Sequence, residues 1–288
     1  MKVAISRPGA PPTHLFVHQV SKHPERLGAG NRPVSFILPG GPGVDHTGYL
    51  DYATLQHVTD LVFHDPRGCG KSDLGERSSY NMNNNIDDVD AIRQQLGLDK
   101  INVIGKSYGS MCALGYALRY PQHVNKLVLA SGAPSFRFIE IAKKNLLRQG
   151  SPEQIAICEK LWKGDFKNRD ELLTFFELTR PLYSVKARTT PPTQSLHRKC
   201  EQFSRDVLNE GFSQSFWRFD YESVLNTILS PTLILAGRQD WINDVKLAEM
   251  MVARIPHSEL RVFENASHAM EVDAGDAFFQ TIAEFISR

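Results

Sequence analysis

The chain has 288 residues, 41% hydrophobic and 23% charged, an ordinary globular composition with enough apolar material for a large buried core. Its 33 basic and 32 acidic residues leave a net charge of +1, so bulk charge offers nothing to attract nucleic acid or an anionic membrane surface. The four cysteines, Cys69, Cys112, Cys158 and Cys200, are widely spaced without a C-x-x-C pair, which argues against a metal cluster or a disulfide framework and fits reduced thiols.

The N-terminus, Met1-Lys2-Val3-Ala4-Ile5, lacks the long apolar core of a signal peptide. No apolar run approaches the roughly 18 residues of a membrane span. A soluble, cytoplasmic protein is expected. Short apolar, β-branched runs follow in order: Leu15–Val17, Val34–Leu38, Leu61–Phe63, Ile101–Ile104, Lys126–Leu129, Thr232–Leu235 and Leu260–Phe263. The middle five are nearly continuous in apolar character, as in strands buried on both faces of a parallel sheet. Helical patterns at Ile86–Leu96, Met111–Arg119 and Phe278–Ile286 alternate with them. The alternation predicts an α/β fold with a mostly parallel sheet flanked by helices.

Between about Pro134 and Glu222 the alternation stops. Helix-like segments take over at Phe138–Arg148, Pro152–Trp162, Arg169–Leu178 and Gln202–Asn209, with a loop-like break at Thr189-Thr190-Pro191-Pro192-Thr193. The expected division is a core of residues 1–134 and 223–288 and an inserted helical unit of residues 135–222.

One stretch resembles a phosphate-binding loop. Asp65-Pro66-Arg67-Gly68-Cys69-Gly70-Lys71-Ser72 ends in the Gly-Lys-Ser of G-x-x-x-x-G-K-[ST]. Asp65, however, puts a carboxylate where that loop needs a glycine and a phosphate, and Pro66 removes an N–H donor. The following Ser78 to Asn85 is polar and loop-like, so no long helix is expected at once. Nucleotide binding is therefore not the expected role.

The strongest chemical signal is Gly105-Lys106-Ser107-Tyr108-Gly109, a G-x-S-x-G set between a strand and a helix rich in Ala, Leu and Met. That is the context of a nucleophile elbow, which lifts the serine hydroxyl to the carboxyl end of the sheet. The Tyr108 N–H, at the start of the helix, would face a developing oxyanion. A serine nucleophile needs a base and the base needs an orienter, in the chain order Ser, Asp or Glu, His. Asp240 and His268 fall in loops after two later strands and complete that order. Asp244 lies four residues farther on, and Glu264 ends a strand, so both compete less well. The loop Pro39-Gly40-Gly41-Pro42-Gly43 follows an earlier strand, and Gly41 is assigned as the second oxyanion donor.

Gly-Gly-Pro-Gly, then D-x-R-G-x-G-x-S, then G-x-S-x-G, then a late Asp and His, together resemble the proline iminopeptidase (prolyl aminopeptidase) group of α/β-hydrolases. The resemblance covers residues ~13–134 and ~223–288 by the strand pattern and fades in the insertion, which would correspond to those enzymes' helical cap. It implies Ser107 as nucleophile, Asp240 and His268 as its partners, and Gly41 and Tyr108 as oxyanion donors. It also implies that the Asp65 to Ser72 stretch is a structural turn beside the oxyanion loop, with Asp65 and Arg67 hydrogen-bonding backbone. Members use glutamates near the cap to hold the substrate's free amine, and Asn209-Glu210-Gly211-Phe212 is similar to one such segment. Glu201 and Glu222 are the other late carboxylates. Pro39 replaces the family's usual His, Tyr108 its frequent Trp, and Trp241 a second glutamate. Gly40, Trp241 and Glu210 are the expected substrate contacts. Phe136, Phe138, Trp162, Phe203, Phe212, Phe216 and Trp217 are expected mostly as cap core.

The resulting expectation is a serine hydrolase, an aminopeptidase acting through an acyl-enzyme on Ser107, with no metal or organic cofactor. Its partner would be a small molecule or short peptide, not nucleic acid or membrane, with the oligomeric state left open. An esterase or amidase would use the same machinery. A non-catalytic binding protein on this fold would be expected to lack a triad member, and none is lacking.

Overall fold

A computed structural model describes residues 1–7, 10–23, 26–191 and 203–288. Cys200, Glu201, Gln202 and the Pro192-Thr193 end of the proline-rich break lie outside the described residues. Eight strands among the described residues form one sheet in the order β1-β2-β4-β3-β5-β6-β7-β8. They are β1 (Lys2–Arg7), β2 (Ala10–Val20), β3 (Val34–Leu38), β4 (Asp60–His64), β5 (Ile101–Lys106), β6 (Val124–Ala130), β7 (Thr232–Gly237) and β8 (Ser258–Phe263). The pairings from β4 through β8 are parallel, while β1 and β2 add an antiparallel edge.

The continuous apolar runs have the reason expected for them. Phe36, Val62, Val103, Leu127 and Ile234 enter one hydrophobic core; their chain neighbours Ile37, Phe63, Ile104, Val128 and Leu235 enter a second core on the opposite face. The first face is covered by helices α1 (Met82–Gln95), α2 (Tyr108–Arg119) and Val245–Arg254. The second is covered by the 3₁₀ segment His46–His57 and the C-terminal helix Asp276–Ser287.

Two elements depart from expectation. Strand β1 went unread because only Val3 and Ile5 turn inward, and an edge strand with one buried face shows just that short alternation. Helix α1 starts inside the stretch expected as loop. Asn81 is its N-cap, its side-chain oxygen accepting the Asn84 N–H at 2.9 Å, so polar Asn83, Asn84 and Asn85 belong to the first turn.

Between β6 and β7 stand α3 (Phe138–Gln149), α4 (Pro152–Lys163), α5 (Arg169–Tyr183) and α6 (Arg205–Glu210). Helix α4 opens with Ser151 and Gln154 in a reciprocal capping box and closes on Gly164 in left-handed conformation. Helix α5 runs a turn beyond the expected Leu178, with Pro181 near its end. Among the described residues no helix is long and apolar enough to cross a membrane.

Candidate active site

The site is built from loops at the carboxyl ends of β3, β5, β7 and β8. At the end of β5 the chain turns directly into α2, and Ser107 carries the turn at φ 56°, ψ −120°. A non-glycine residue in this region is strained by about 1–3 kcal/mol, and such strain persists where packing fixes the backbone. Here the Ser107 N–H bonds the Ala130 carbonyl of β6 at 2.8 Å. The flanking glycines are obligatory for space. A Cβ on Gly105 would drive into the backbone of Gly109 and Ser110, and one on Gly109 into the carbonyls of Leu38 and Pro39.

The β7 and β8 loops are laced together beside this turn. Gln239 N–H bonds the Ala266 carbonyl at 3.0 Å, and Ser267 Oγ–H bonds the Gln239 carbonyl at 2.9 Å. Asp240 is buried, and its Oδ1 accepts the N–H groups of Ile242 (3.0 Å) and Asn243 (2.9 Å). Its Oδ2 lies 2.8 Å from His268 Nδ1. An ionised carboxylate only accepts, so Nδ1 carries the proton and Nε2 is left as the acceptor. Burial pushes the His268 imidazole below the ordinary histidine range, and the nearby Lys106 charge adds to that; Asp240 works in the opposite direction. A neutral imidazole is the form a general base requires. The competing carboxylates are engaged elsewhere: Asp244 caps Val245–Arg254, and Glu264 pairs with Arg238.

The β3 loop passes over the elbow. A Cβ on Gly40 would meet the Tyr49 hydroxyl at 2.6 Å and Ser107 Cβ at 3.1 Å, so only glycine lets the loop approach this closely. The Gly40 N–H is already taken by the Tyr49 hydroxyl at 2.7 Å. Gly41, at φ 109°, donates to no acceptor among the described residues. The Tyr108 N–H opens α2, where no intrahelical carbonyl can reach it. The two donors expected at an oxyanion are thus the two left open.

The α/β-hydrolase fold family matches residues 36–273. The chain belongs to that family. A protein from Saccharolobus solfataricus named proline iminopeptidase is 29% identical over 275 residues, 91% of this chain and 87% of that one. Proline iminopeptidase from Mycobacterium smegmatis superposes with a TM-score of 0.77 at 20% identity, covering 99% of this chain and 97% of that one. An esterase from Exiguobacterium antarcticum superposes at 0.76 and 22% identity, with 96% of each chain covered. The resemblance read from the motifs is borne out, and the protein is a serine hydrolase.

The helices between β6 and β7 meet two of the loops that carry candidate site residues. Ser204 N–H bonds the Gly43 carbonyl at 2.8 Å, and Gly211 packs on the Pro42 ring, which sets α6 against the oxyanion loop. Glu210 stands there half-buried, with no hydrogen-bond or ion-pair partner among the described residues. Its neighbours in the motif hold structure: Asn209 bonds both backbone groups of Phe166, and Phe212 packs on Trp162 and Phe216. Glu222 is occupied by Ser135 and Arg137. Trp241 is 1% exposed, its ring edge-on to Trp162 and Tyr183, and its indole N–H has no partner among the described residues.

The turn after β4 is an anchor of the scaffold. Asp65 accepts from the His46 N–H and Nδ1 and from the Lys71 N–H, while Ser72 bonds the Asp65 carbonyl. Asp65 bonds backbone as the resemblance implied, and the Arg67 guanidinium grips the Asp88 carboxylate on α1 at 2.6 and 2.8 Å. Asp45, His46 and Asp65 bring one ligand atom each within 4.8 Å of one another, but three N–H donors already occupy the Asp65 oxygens. Two site neighbours escaped the sequence reading. Tyr183, from α5, lays its ring edge-on to His268 at 5.3 Å, a contact across 85 residues of chain that no local pattern announces. Lys106 was visible inside the G-x-S-x-G, yet only the fold shows that its ammonium turns toward the His268 loop.

Proposed function

We propose that this serine hydrolase is an aminopeptidase of the proline iminopeptidase type, releasing the N-terminal residue of a short peptide through an acyl-enzyme on Ser107. Ser107 Oγ bonds the carbonyl carbon while its proton passes to His268 Nε2. Asp240 holds the imidazole in the required tautomer and stabilises its charged form. The Gly41 and Tyr108 N–H groups receive the oxyanion. Collapse breaks the C–N bond, and His268 returns its proton to the leaving amine. A water molecule then attacks the ester carbonyl, gives a proton to His268, and Ser107 Oγ departs with it.

The observation that carries this reading is the 2.8 Å Asp240–His268 pair, held by loops that lie against the strained elbow of Ser107. Peptidase specificity is supported by the name its relative from Saccharolobus solfataricus bears and by the unpaired Glu210 beside the oxyanion loop. A buried ammonium needs a negative partner, and that role is assigned to Glu210. Residues 135–222 act as a cap over the site, and its aromatics pack mainly on one another.

The test uses aminoacyl-anilides with free and blocked amines beside short-chain esters, with a fluorophosphonate probe for Ser107. Free-amine anilides are expected to react fastest, and Ser107→Ala is expected to abolish both turnover and labelling. Equal rates on blocked and free substrates would move the assignment to an esterase or amidase. Absence of labelling in the wild-type protein would overturn the catalytic reading itself.

A further inference from the structure

Lys106 is the second residue of G-x-S-x-G, and nothing in the chemistry above uses it. The residue is 3% exposed, although a lysine is rarely buried without a purpose for its charge. Its Nζ donates to the carbonyl oxygen of His268 at 2.5 Å and faces Glu271 Oε2 at 3.8 Å. Ser131 Oγ donates to the same carbonyl at 3.1 Å, from a residue that itself sits at φ 46°. Glu271 Oε2 is shielded from water and receives no hydrogen bond among the described residues, so Lys106 is the cation that balances it. The Glu271 charge also reaches Tyr49 and Tyr52, and the Tyr49 hydroxyl holds Gly40 of the oxyanion loop. Glu271 thus stands between the Lys106 ammonium and Tyr49, whose hydroxyl holds Gly40, close enough for its charge to act on both.

We infer that Lys106 is a positioning residue, whose ammonium, balanced by Glu271, anchors the His268 carbonyl and fixes the base loop against the elbow. The inference rests on His268 being the general base. Lys106 acts on His268 in two ways. The hydrogen bond restrains the backbone of the base itself, so the imidazole does not drift from Ser107. The charge acts through space on the ring. The groups facing His268 are Asp240 from the β7 loop, Lys106 from β5, Glu271 from the helix Met270–Asp273, and the Tyr183 ring from α5; Asp273 lies one step away, on the Ser267 N–H. Lys106 disfavours the imidazolium and Glu271 favours it. The two thus have opposite signs on one titration.

The experiment follows His268 directly, by NMR titration of the histidine ring in the full-length protein, with the resonance assigned by its loss in His268→Gln. Fluorophosphonate inactivation is measured across pH in parallel. Lys106→Met is expected to raise the His268 titration by about one pH unit and to slow inactivation at the plateau by about tenfold. Glu271→Gln is expected to move the titration down. Lys106→Arg keeps the charge and is expected to titrate as wild type. Should Lys106→Met fail to fold, Glu271→Gln and Lys106→Arg still decide the matter. A His268 titration that stays put in Glu271→Gln, or that moves the same way in both neutral variants, overturns the inference. Failure of wild-type labelling would instead sink the catalytic reading, while the titration still reports on Lys106.

Discussion

Replacing Asp240 by asparagine separates the base's orientation from its presence. In the wild-type site Oδ1 takes two backbone N–H groups and Oδ2 takes His268 Nδ1–H at 2.8 Å. Asparagine has one oxygen and one amide nitrogen. The oxygen stays with Ile242 and Asn243, because turning it would set the amide N–H₂ against two donors. The amide nitrogen then faces Nδ1, which must accept, and the proton moves to Nε2. An Nε2–H cannot take the Ser107 proton. The expected loss in kcat/KM is about 10³–10⁴-fold, or roughly 4–5.5 kcal/mol of transition-state stabilisation. Stability should fall by only about 1 kcal/mol, since one hydrogen bond is exchanged for a weaker one. The assay is kcat/KM on the best aminoacyl-anilide, with urea unfolding run beside it. An Asp240→Asn enzyme within tenfold of wild type at unchanged stability would refute the roles given to Asp240 and His268.

Three further predictions concern separate links. Buried His64, with Nδ1 unpartnered among the described residues, is pushed by burial from 6.5 down to about 4. The unfolded chain then binds the extra proton, so stability present above pH 6.5 drains as pH falls toward 4; wild type should lose about 2 kcal/mol more than His64→Phe between pH 7 and pH 5 in urea titrations, and parallel losses would disprove it. Gly109→Ala presses a methyl on the Leu38 and Pro39 carbonyls and is expected to cost about 1–3 kcal/mol and most fluorophosphonate reactivity; a fully labelled, equally stable variant would contradict the packing of the elbow. Glu210→Gln should lower kcat/KM on free-amine substrates by roughly tenfold or more and leave blocked substrates unchanged, whereas an equal loss on both would remove Glu210 from amine recognition.

The core strands were legible because both faces of the sheet are buried, which writes each strand as a nearly continuous apolar run such as Leu61–Phe63. The elbow and the late Asp and His were legible because this fold fixes their chain order and their places after strands. At Asp65 the residues alone excluded a phosphate loop, since a carboxylate and a proline spoil it, and the structural turn followed from the resemblance. What escaped was long-range or half-patterned. Strand β1 shows only two inward residues, and α1 opens on three asparagines that read as loop until Asn81 is seen as the cap.

The same reason explains why the insertion was read as a separate unit and is more than that. Sequence shows where the sheet pattern stops, but not what the inserted helices grip. Asp273, just past His268, accepts from Ser267 N–H and also from Ser184 Oγ–H and the Val185 and Lys186 N–H groups at the end of α5. Ala269 N–H bonds the Tyr183 carbonyl at 2.8 Å. At the other end, α6 bonds Gly43 of the oxyanion loop. The insertion therefore clamps the base loop with one helix and the oxyanion loop with another. A cap joined to the core only by its chain ends could open freely; this one would have to break those bonds, so its geometry is coupled to the placement of His268 and Gly41. If His268 and Gly41 have the roles proposed for them, specificity and catalysis share one set of contacts, and changes in the inserted helices should register in the chemistry as well as in substrate choice.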